Sequence, residues 1–596
     1  MNPFRAGSFS SAVMIAITAF AIAGTAQTSA DTHTWTGVTD GDWNDVGNWD
    51  NGIPVNSDDL IFSGTSNTAT INDLAGIRLN GIQFSNTTAG QSFSLSGNDV
   101  ILDANSISTA AVVGGGTIED TISLRLRPTG GIRNINLGTD HNLTISGEIF
   151  GPQSINKSGD GTLTLSAANT YYGGSTTING GTLAFAGSGT IYESNAIVVN
   201  DTGTLRFGRN DTWGQATTDT SSSITINAGG TMESGGYFNT IRDLNLNGGT
   251  VALTGGVNAS YPAFALKGTV TVGGSQASQI NRVSGNFSRI SIGDNNLGAT
   301  VFDVADATGD ASADLTVNAI IQNLGPIGGN SLTKTGVGTM ELTATNTYTG
   351  TTTVNGGTLR MVNSTAGNAI RGIGHNYVIA SGATLEAERS SGGAEAISNF
   401  NISGSGTFKL SGLDMTQTSA GSTINMSSGA LFHVESGRYN FGQAGLGDWS
   451  SNLSDMQVDN GATFNGAATP TVVDALNGAG TVLTGGGITV GVDNGSGSFS
   501  GIIGNSNWGD TYSITKAGSG TQTLNGTVAN TYSGGTTING GIISLGTGGG
   551  VTSHQDALGT GAVTANSGGE LRLWISNGGS YTIDNAFTLD GGTVHG

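Results

Sequence analysis

The strongest constraint on this chain is a passage of sequence that occurs three times. The first copy reads Lys157-Ser-Gly-Asp-Gly-Thr-Leu163, then Asn169-Thr-Tyr171, then Thr177-Ile-Asn-Gly-Gly-Thr-Leu183. The second reads Lys334-Thr-Gly-Val-Gly-Thr-Met340, Asn346-Thr-Tyr348 and Thr353-Val-Asn-Gly-Gly-Thr-Leu359, and the third Lys516-Ala-Gly-Ser-Gly-Thr-Gln522, Asn530-Thr-Tyr532 and Thr537-Ile-Asn-Gly-Gly-Ile-Ile543. A long repeated pattern in a Gly- and Thr-rich chain calls for a stacked, quasi-one-dimensional fold in which each unit touches only its neighbours. The copies lie too far apart in sequence to stack on one another, so each is a local module.

Between the modules runs a shorter signal: Gly, a small residue, Thr, then a hydrophobic residue. Its Thr falls at 182, 204, 231, 250 and 269, and again at 358, 384 and 407, continuing as Ala430 in Gly429-Ala-Leu. A pattern that restarts every twenty-odd residues fits one turn of a β-solenoid, with two or three short strands per turn and Gly or Asn at the corners. Strands such as Thr162–Leu165, Thr204–Phe207 and Glu570–Leu573 alternate apolar with polar, which sends Leu, Ile and Phe into a tube and Thr, Arg and Ser out of it. Asn179, Asn227, Asn247, Asn355 and Asn477 recur beside glycines and are expected to align as hydrogen-bonded ladders. At about 22 residues and 4.8 Å per coil, residues 31–596 would make about 25 coils and roughly 120 Å of rod.

Composition agrees. Gly, Thr, Asn and Ser are poor helix formers, while β-branched residues and a charged fraction of 10% argue against disorder. The net charge of −22 excludes the basic stripes a nucleic-acid binder needs and opposes attachment to anionic lipid. Arg5, the apolar run Ala12–Ala23 and the small residues after it read as a signal peptide over 1–30, with cleavage after Ala30 or Ala26. That run is too short to span a membrane, and no later segment qualifies. The chain has no Cys although export would permit disulfides, so stacking must supply its stability.

Residues 31–105 are expected to hold an N-terminal cap and the first coils, and 106–596 the solenoid with modules near 157–183, 334–359 and 516–543. Trp35, Trp43 and Trp49 fall within 15 positions and read as a hydrophobic plug over the open first edge; the competing reading is an exposed carbohydrate-binding patch. At the other end, Leu589–Gly596 starts a further rung with no barrel-type strands after it, so the chain is expected to be a fragment.

The triplicated pattern, Lys-x-Gly-x-Gly-Thr with Asn-Thr-Tyr-x-Gly and Asn-Gly-Gly, resembles the autotransporter-associated β-strand repeat, also called the passenger-associated transport repeat. The second copy fits most tightly; the first has an extra residue after Tyr171 and the third two extra before Asn530. The resemblance implies an all-β, right-handed parallel β-helix with a short Trp-rich cap, carried to the surface of a Gram-negative-type bacterium, whose repeats assist export.

Chemistry is sparse. Carboxylates are mostly single (Glu148, Glu193, Glu233, Glu341, Glu386), and the pairs Asp303/Asp306 and Asp310/Asp314 sit in a loop-like stretch. A polysaccharide lyase or hydrolase would gather acids with Arg and Lys on adjacent coils, and 303–314 is the one place offered for it. His33, His141, His375, His433, His554 and His595 are scattered away from metal-ligand spacing. Asp40-Gly-Asp42-Trp-Asn44-Asp45 spaces oxygens like a Ca²⁺ loop but lacks its Gly and closing Glu; the alternative is a polar loop between tryptophans. The expectation is a non-enzymatic exported scaffold, in its most specific form an adhesin, without catalytic residues, metal or cofactor. Its partners would be cell-surface or extracellular glycans or proteins and the export machinery. Loops 208–222 and 436–456 would vary its surface. The alternatives are a polysaccharide-active enzyme and a lectin-like module built on the three tryptophans.

Overall fold

A computed structural model describes residues 30–596 apart from short internal segments, the longest at 213–222 and 547–554. The leader, Asn169-Thr-Tyr171, His375, His554 and most of the 208–222 loop lie outside the described residues.

The period-two alternation becomes strands of two to seven residues, in many of which buried and less buried positions alternate, as in Thr162–Leu165, Thr182–Phe185 and Ala196–Val199. They wind into a parallel β-solenoid. One long sheet begins with Thr32–Trp35 and passes through Asp58–Phe62, Arg78–Phe84 and onward, rung by rung. A second runs beside it from Ala69–Asn72 to Thr593–His595. Of its 24 strands, all but the short hairpin partner Gly367–Asn368 stack in one parallel column. At about 4.8 Å per rung the column is roughly 110 Å long, close to the length expected from the repeat spacing.

Inside the tube, side chains at one register position stack from coil to coil. Leu163, Leu183, Leu205, Met232 and Val251 form one such column, and all are buried in a hydrophobic core that continues along the chain. Each buried apolar side chain contributes about 1.5–3 kcal/mol relative to exposure, so the core is long and thin but energetically continuous.

The predicted rungs hold at Thr182, Thr204, Thr231 and Thr250, which lie in register. Thr269 does not continue them. It opens Thr269–Val272 in the first sheet, and the second-sheet partner of Thr250 is Gln279. Thr358, Thr384 and Thr407 also align, but the next rung is Leu431, one residue beyond Ala430. Gly429-Ala-Leu lacks the Thr that fixes the register by eye.

A third side appears in stretches. Asn239–Ile241, Phe264–Leu266, Arg289–Ile292 and Ile320–Asn323 make one four-stranded sheet, and six strands from Ala394–Ile397 to Ile502–Gly504 make another.

The Asn ladder is longer than the sequence indicated. Side-chain amides link Asn134, Asn156, Asn179, Asn200, Asn227 and Asn247 in succession at 2.6–2.9 Å. Asn477 works differently, accepting from the Ser498 amide at 3.0 Å.

The three N-terminal tryptophans are 1%, 0% and 5% exposed. Trp35 and Trp43 pack edge-to-face on Trp49 at 5.0 and 6.1 Å, and Trp49 edge-to-face on Phe62 at 5.9 Å, with Trp43 tilted against Phe62 at 5.7 Å. Their indole N–H groups reach Ser66 O, Thr70 Oγ1 and Trp43 O. Asn48–Asp50 crosses the outer edge of Thr32–Trp35, with Thr36 N donating to Asn48 O and Asp50 N to Thr34 O. An aromatic plug with its edge occupied fits a cap. The exposed carbohydrate-binding patch is overturned, because no ring face is free to stack on a sugar.

Candidate functional site

Two constellations stand out: the interior of the repeated modules and a charged row on the outside of the second sheet.

In each module the Lys side chain points into the tube and is fully buried. Lys157 Nζ donates to Ser158 O, Gly159 O and Gly180 O at 2.8–3.0 Å. Lys334 Nζ does the same to Thr335 O, Gly336 O and Gly356 O at 2.9–3.1 Å. Lys516 reaches Ala517 O and Gly518 O. Three carbonyls satisfy the three N–H bonds of an ammonium. For Lys157 and Lys334 the acceptors come from two successive coils, since Lys157 pairs with Ile178 and Lys334 with Val354. This is why Lys-x-Gly and Asn-Gly-Gly travel together in sequence. Gly357 sits at φ +58°, and a Cβ there would lie 2.7 Å from Lys334 Nζ, so glycine is needed for both backbone and space. Burial lowers Lys157 and Lys334 to about 8, against the weaker pull of Asp160 on the first and of Asp314 and Asp303 on the second.

Asn-Thr-Tyr does a second job. Ile321 N donates to Asn346 Oδ1 at 2.9 Å while Thr347 N donates to Ile321 O at 2.8 Å. In the third copy Ile503 N donates to Asn530 Oδ1 at 2.7 Å and Thr531 N to Ile503 O at 3.0 Å. Ile321 and Ile503 lie in the last strand of each third-side sheet. The Asn side chain thus stands in for the carbonyl of a further strand and closes the edge. Tyr348 and Tyr532 then fill the tube, each hydroxyl 2.7 Å from the Oγ1 of Thr352 or Thr536. Burial raises both phenols well above their ordinary range.

The charged row was missed in the sequence. Glu341, Arg360, Glu386, Lys409, His433 and Gln457 occupy one outward register position on successive coils. Arg360 lies 3.6 Å from Glu341, 3.0 Å from Glu386 and 3.3 Å from Glu388. Lys409 lies 3.2 Å from Glu386 and 2.8 Å from Glu435, and His433 lies 2.9 Å from Asp459. Burial works to lower Lys409, but Glu435 and Glu386 outweigh it and hold the ammonium above its usual value. Burial raises Glu388; Arg360 opposes this while Glu386 and Glu341 add to it. A signal was present. Each of these residues from Glu341 to His433 stands two places after the first residue of its rung (Thr339, Thr358, Thr384, Thr407, Leu431), and Arg206 and Glu233, paired at 2.6 Å, stand two places after Thr204 and Thr231.

Glu341 and Glu386, read as single carboxylates, meet at Arg360, whereas the acids of 303–314 and of the Asp40–Asp45 loop do not converge. Asp314 is buried, accepting from Ala307 N, Thr308 N and Thr308 Oγ1 through Oδ1 and from Thr339 N through Oδ2. Asp306 and Asp310 accept from Gly309 N and Ser312 N within their own turns, and Asp303 from Thr335 Oγ1. In the Asp40–Asp45 loop, Asp40 Oδ1 accepts from Asp42 N and Asn48 Nδ2, and Asp45 Oδ1 from Gly47 N. Among the described residues no group of three or more His, Asp or Glu is placed to hold a metal ion.

His33 and His141 serve packing. His33 bridges Gly52 O at 2.8 Å and Asp58 at 2.9 Å, and His141 bridges Ala110 O at 2.7 Å and Asp120 at 2.6 Å. All four side chains are buried. No helix among the described residues is long and apolar enough to cross a membrane.

A sequence profile of the passenger-associated-transport-repeat matches residues 155–185, 332–361 and 514–545, the three modules. Searches of curated proteins and of solved structures returned no match. The chain therefore carries three such repeats on a parallel β-solenoid, an arrangement that fits an autotransporter passenger-like protein.

Proposed function

We propose that this chain is an exported, non-enzymatic scaffold of the bacterial cell surface, an adhesin in its most specific form, whose repeats assist its secretion. One observation carries the reading: three copies of a passenger-associated repeat, each built into the wall of a single continuous solenoid. A chain that emerges from a pore coil by coil must protect each new sheet edge as it forms. The repeats supply two devices suited to that, a buried Lys that in the first two copies ties two successive coils and an Asn that in the second and third closes the third side. The non-enzymatic part is supported by the carboxylates of 303–314, whose described bonds are to N–H and O–H groups of their own turns and neighbouring coils. The scaffold would work by geometry, with many weak contacts along a stiff rod adding up.

Fractionation and protease shaving of the bacterium that makes this chain test the reading. The chain should be found at the surface or in the medium, and replacing Lys157, Lys334 and Lys516 together by Ala should leave more of it behind in the periplasm. A chain confined to the cytoplasm would end the proposal.

A polysaccharide-active enzyme is the second reading. The row Glu341–Arg360–Glu386–Lys409–His433 favours it, because such chemistry needs acids beside cations on adjacent coils. Glycan cleavage by the purified chain, lost on Glu386→Gln, would move the assignment there.

A further inference from the structure

Asp120 occupies an inward position of Ile118–Ile122, between two fully buried isoleucines, Ile118 and Ile122. An ionised carboxylate in such a place is costly unless it is paired and hydrogen-bonded. Each of its oxygens meets a ring or backbone nitrogen: Phe93 N lies 2.7 Å from Oδ1 and His141 Nε2 lies 2.6 Å from Oδ2. The other ring nitrogen, Nδ1, lies 2.7 Å from Ala110 O. His141 is 0% exposed and Asp120 1%.

The ring thus faces a carbonyl oxygen on one side and a carboxylate on the other. A carbonyl only accepts, and so does an ionised carboxylate, whereas a neutral imidazole has a single N–H to donate. To make both bonds the pair holds one proton more than a neutral ring beside an ionised acid, shared across the 2.6 Å contact. Among the described residues no Lys or Arg pairs with Asp120. The neighbouring charges face other partners. Glu119 accepts from Asn142 and Asp160 from Thr139 Oγ1, Lys157 donates to backbone carbonyls, and Asp140 is exposed.

His33 repeats the arrangement in the cap, with Nδ1 2.8 Å from Gly52 O and Nε2 2.9 Å from Asp58 Oδ2, both residues buried. His433 and His595 differ. Each brings one ring nitrogen to a carboxylate, and a neutral ring satisfies that with its one N–H.

The contacts cross coils. Phe93 precedes Ser94–Gly97, Asp120 lies in Ile118–Ile122 and His141 opens His141–Ile145, three successive rungs of the second sheet. We propose that His141 and Asp120 form a buried proton lock across these coils, so that residues 93–145 tighten as pH falls and loosen as it rises, and that His33 and Asp58 act alike on the cap. The sign follows from the proton count. An unfolded histidine gives up its proton above about pH 6.5, while the folded pair keeps it, so the folded chain binds more protons and its stability falls with rising pH. The lock depends on the fold alone and stands apart from the export reading.

Amide hydrogen exchange of the purified chain between pH 5.5 and 7.5, corrected for the intrinsic pH dependence of exchange, tests it. This range stays below the values of about 8 for Lys157 and Lys334. The opening constant of 93–145 should rise about tenfold across it, while 223–253, a stretch of the solenoid without histidine, stays flat. Asp120→Asn provides an amide that donates to Nε2 of a neutral His141 while its oxygen still accepts from Phe93 N, so the rise should vanish. A flat wild-type profile over 93–145, an equal rise over 223–253, or an undiminished rise in Asp120→Asn would each overturn the lock. Should Asp120→Asn not fold, the wild-type comparison of the two stretches decides alone.

Discussion

At the scale of single residues, the buried lysines carry the most distinctive physical chemistry. An ammonium in a tube of Leu, Ile and Phe is tolerated because backbone carbonyls from two coils surround it. Burial lowers Lys157 and Lys334 from 10.5 to about 8, and burial lowers Lys516 as well, against Asp474. Between pH 8 and 10.5 the unfolded chain therefore holds more protons than the folded one, so stability climbs with pH across that window and falls back as pH drops to 8. Urea unfolding of wild type and Lys334→Met should show it: the wild-type midpoint rises relative to the variant from pH 8 to 10. Parallel profiles would contradict the buried-ammonium account. The edge-closing Asn makes a second prediction at this scale. Asn346→Ala leaves Ile321 N–H buried without an acceptor, at a cost of about 1–3 kcal/mol. Amide exchange at Ile321 should accelerate tenfold or more while Ile503, served by Asn530, stays protected.

At the scale of elements, rungs and ladders divide the work. The Asn ladder fixes register along one corner, and the charged row does so along the second sheet. Arg360 is the keystone of that row, with three carboxylates within 3.6 Å. Arg360→Ala leaves those acids to repel one another, so the coils from Thr339 to Val434 should lose protection from exchange, more at low salt than at high. Equal protection at both salt levels would assign the row no structural role. These elements also mark what the sequence disclosed. The rungs at Thr182 to Thr250 were legible because Gly-x-Thr-hydrophobic recurs on one sheet with few interruptions. Thr269 misled because the insertion 254–262 and the strand Phe264–Leu266 intervene, and the first sheet uses the same Gly-Thr-Val wording. The charged row was overlooked because its members lie about two dozen residues apart and line up only when the rung starts are matched, each member two places after its start. The Trp cluster was legible as a buried aromatic plug by its density, three tryptophans within 15 positions.

At the scale of the whole molecule, the modules punctuate the solenoid. The second and third copies each stand where a third-side sheet ends, along one continuous core. Such an array folds by nearest-neighbour contacts and needs no long-range closure, which suits a chain without cysteine. The central claim, that coils stack in one continuous tube, is tested most directly by small-angle X-ray scattering of residues 31–596. A rod of roughly 110 Å built at about 4.8 Å per coil predicts a radius of gyration near 33 Å with a linear cross-section region. A value of about 25 Å, which a compact domain of this length would give, would contradict it.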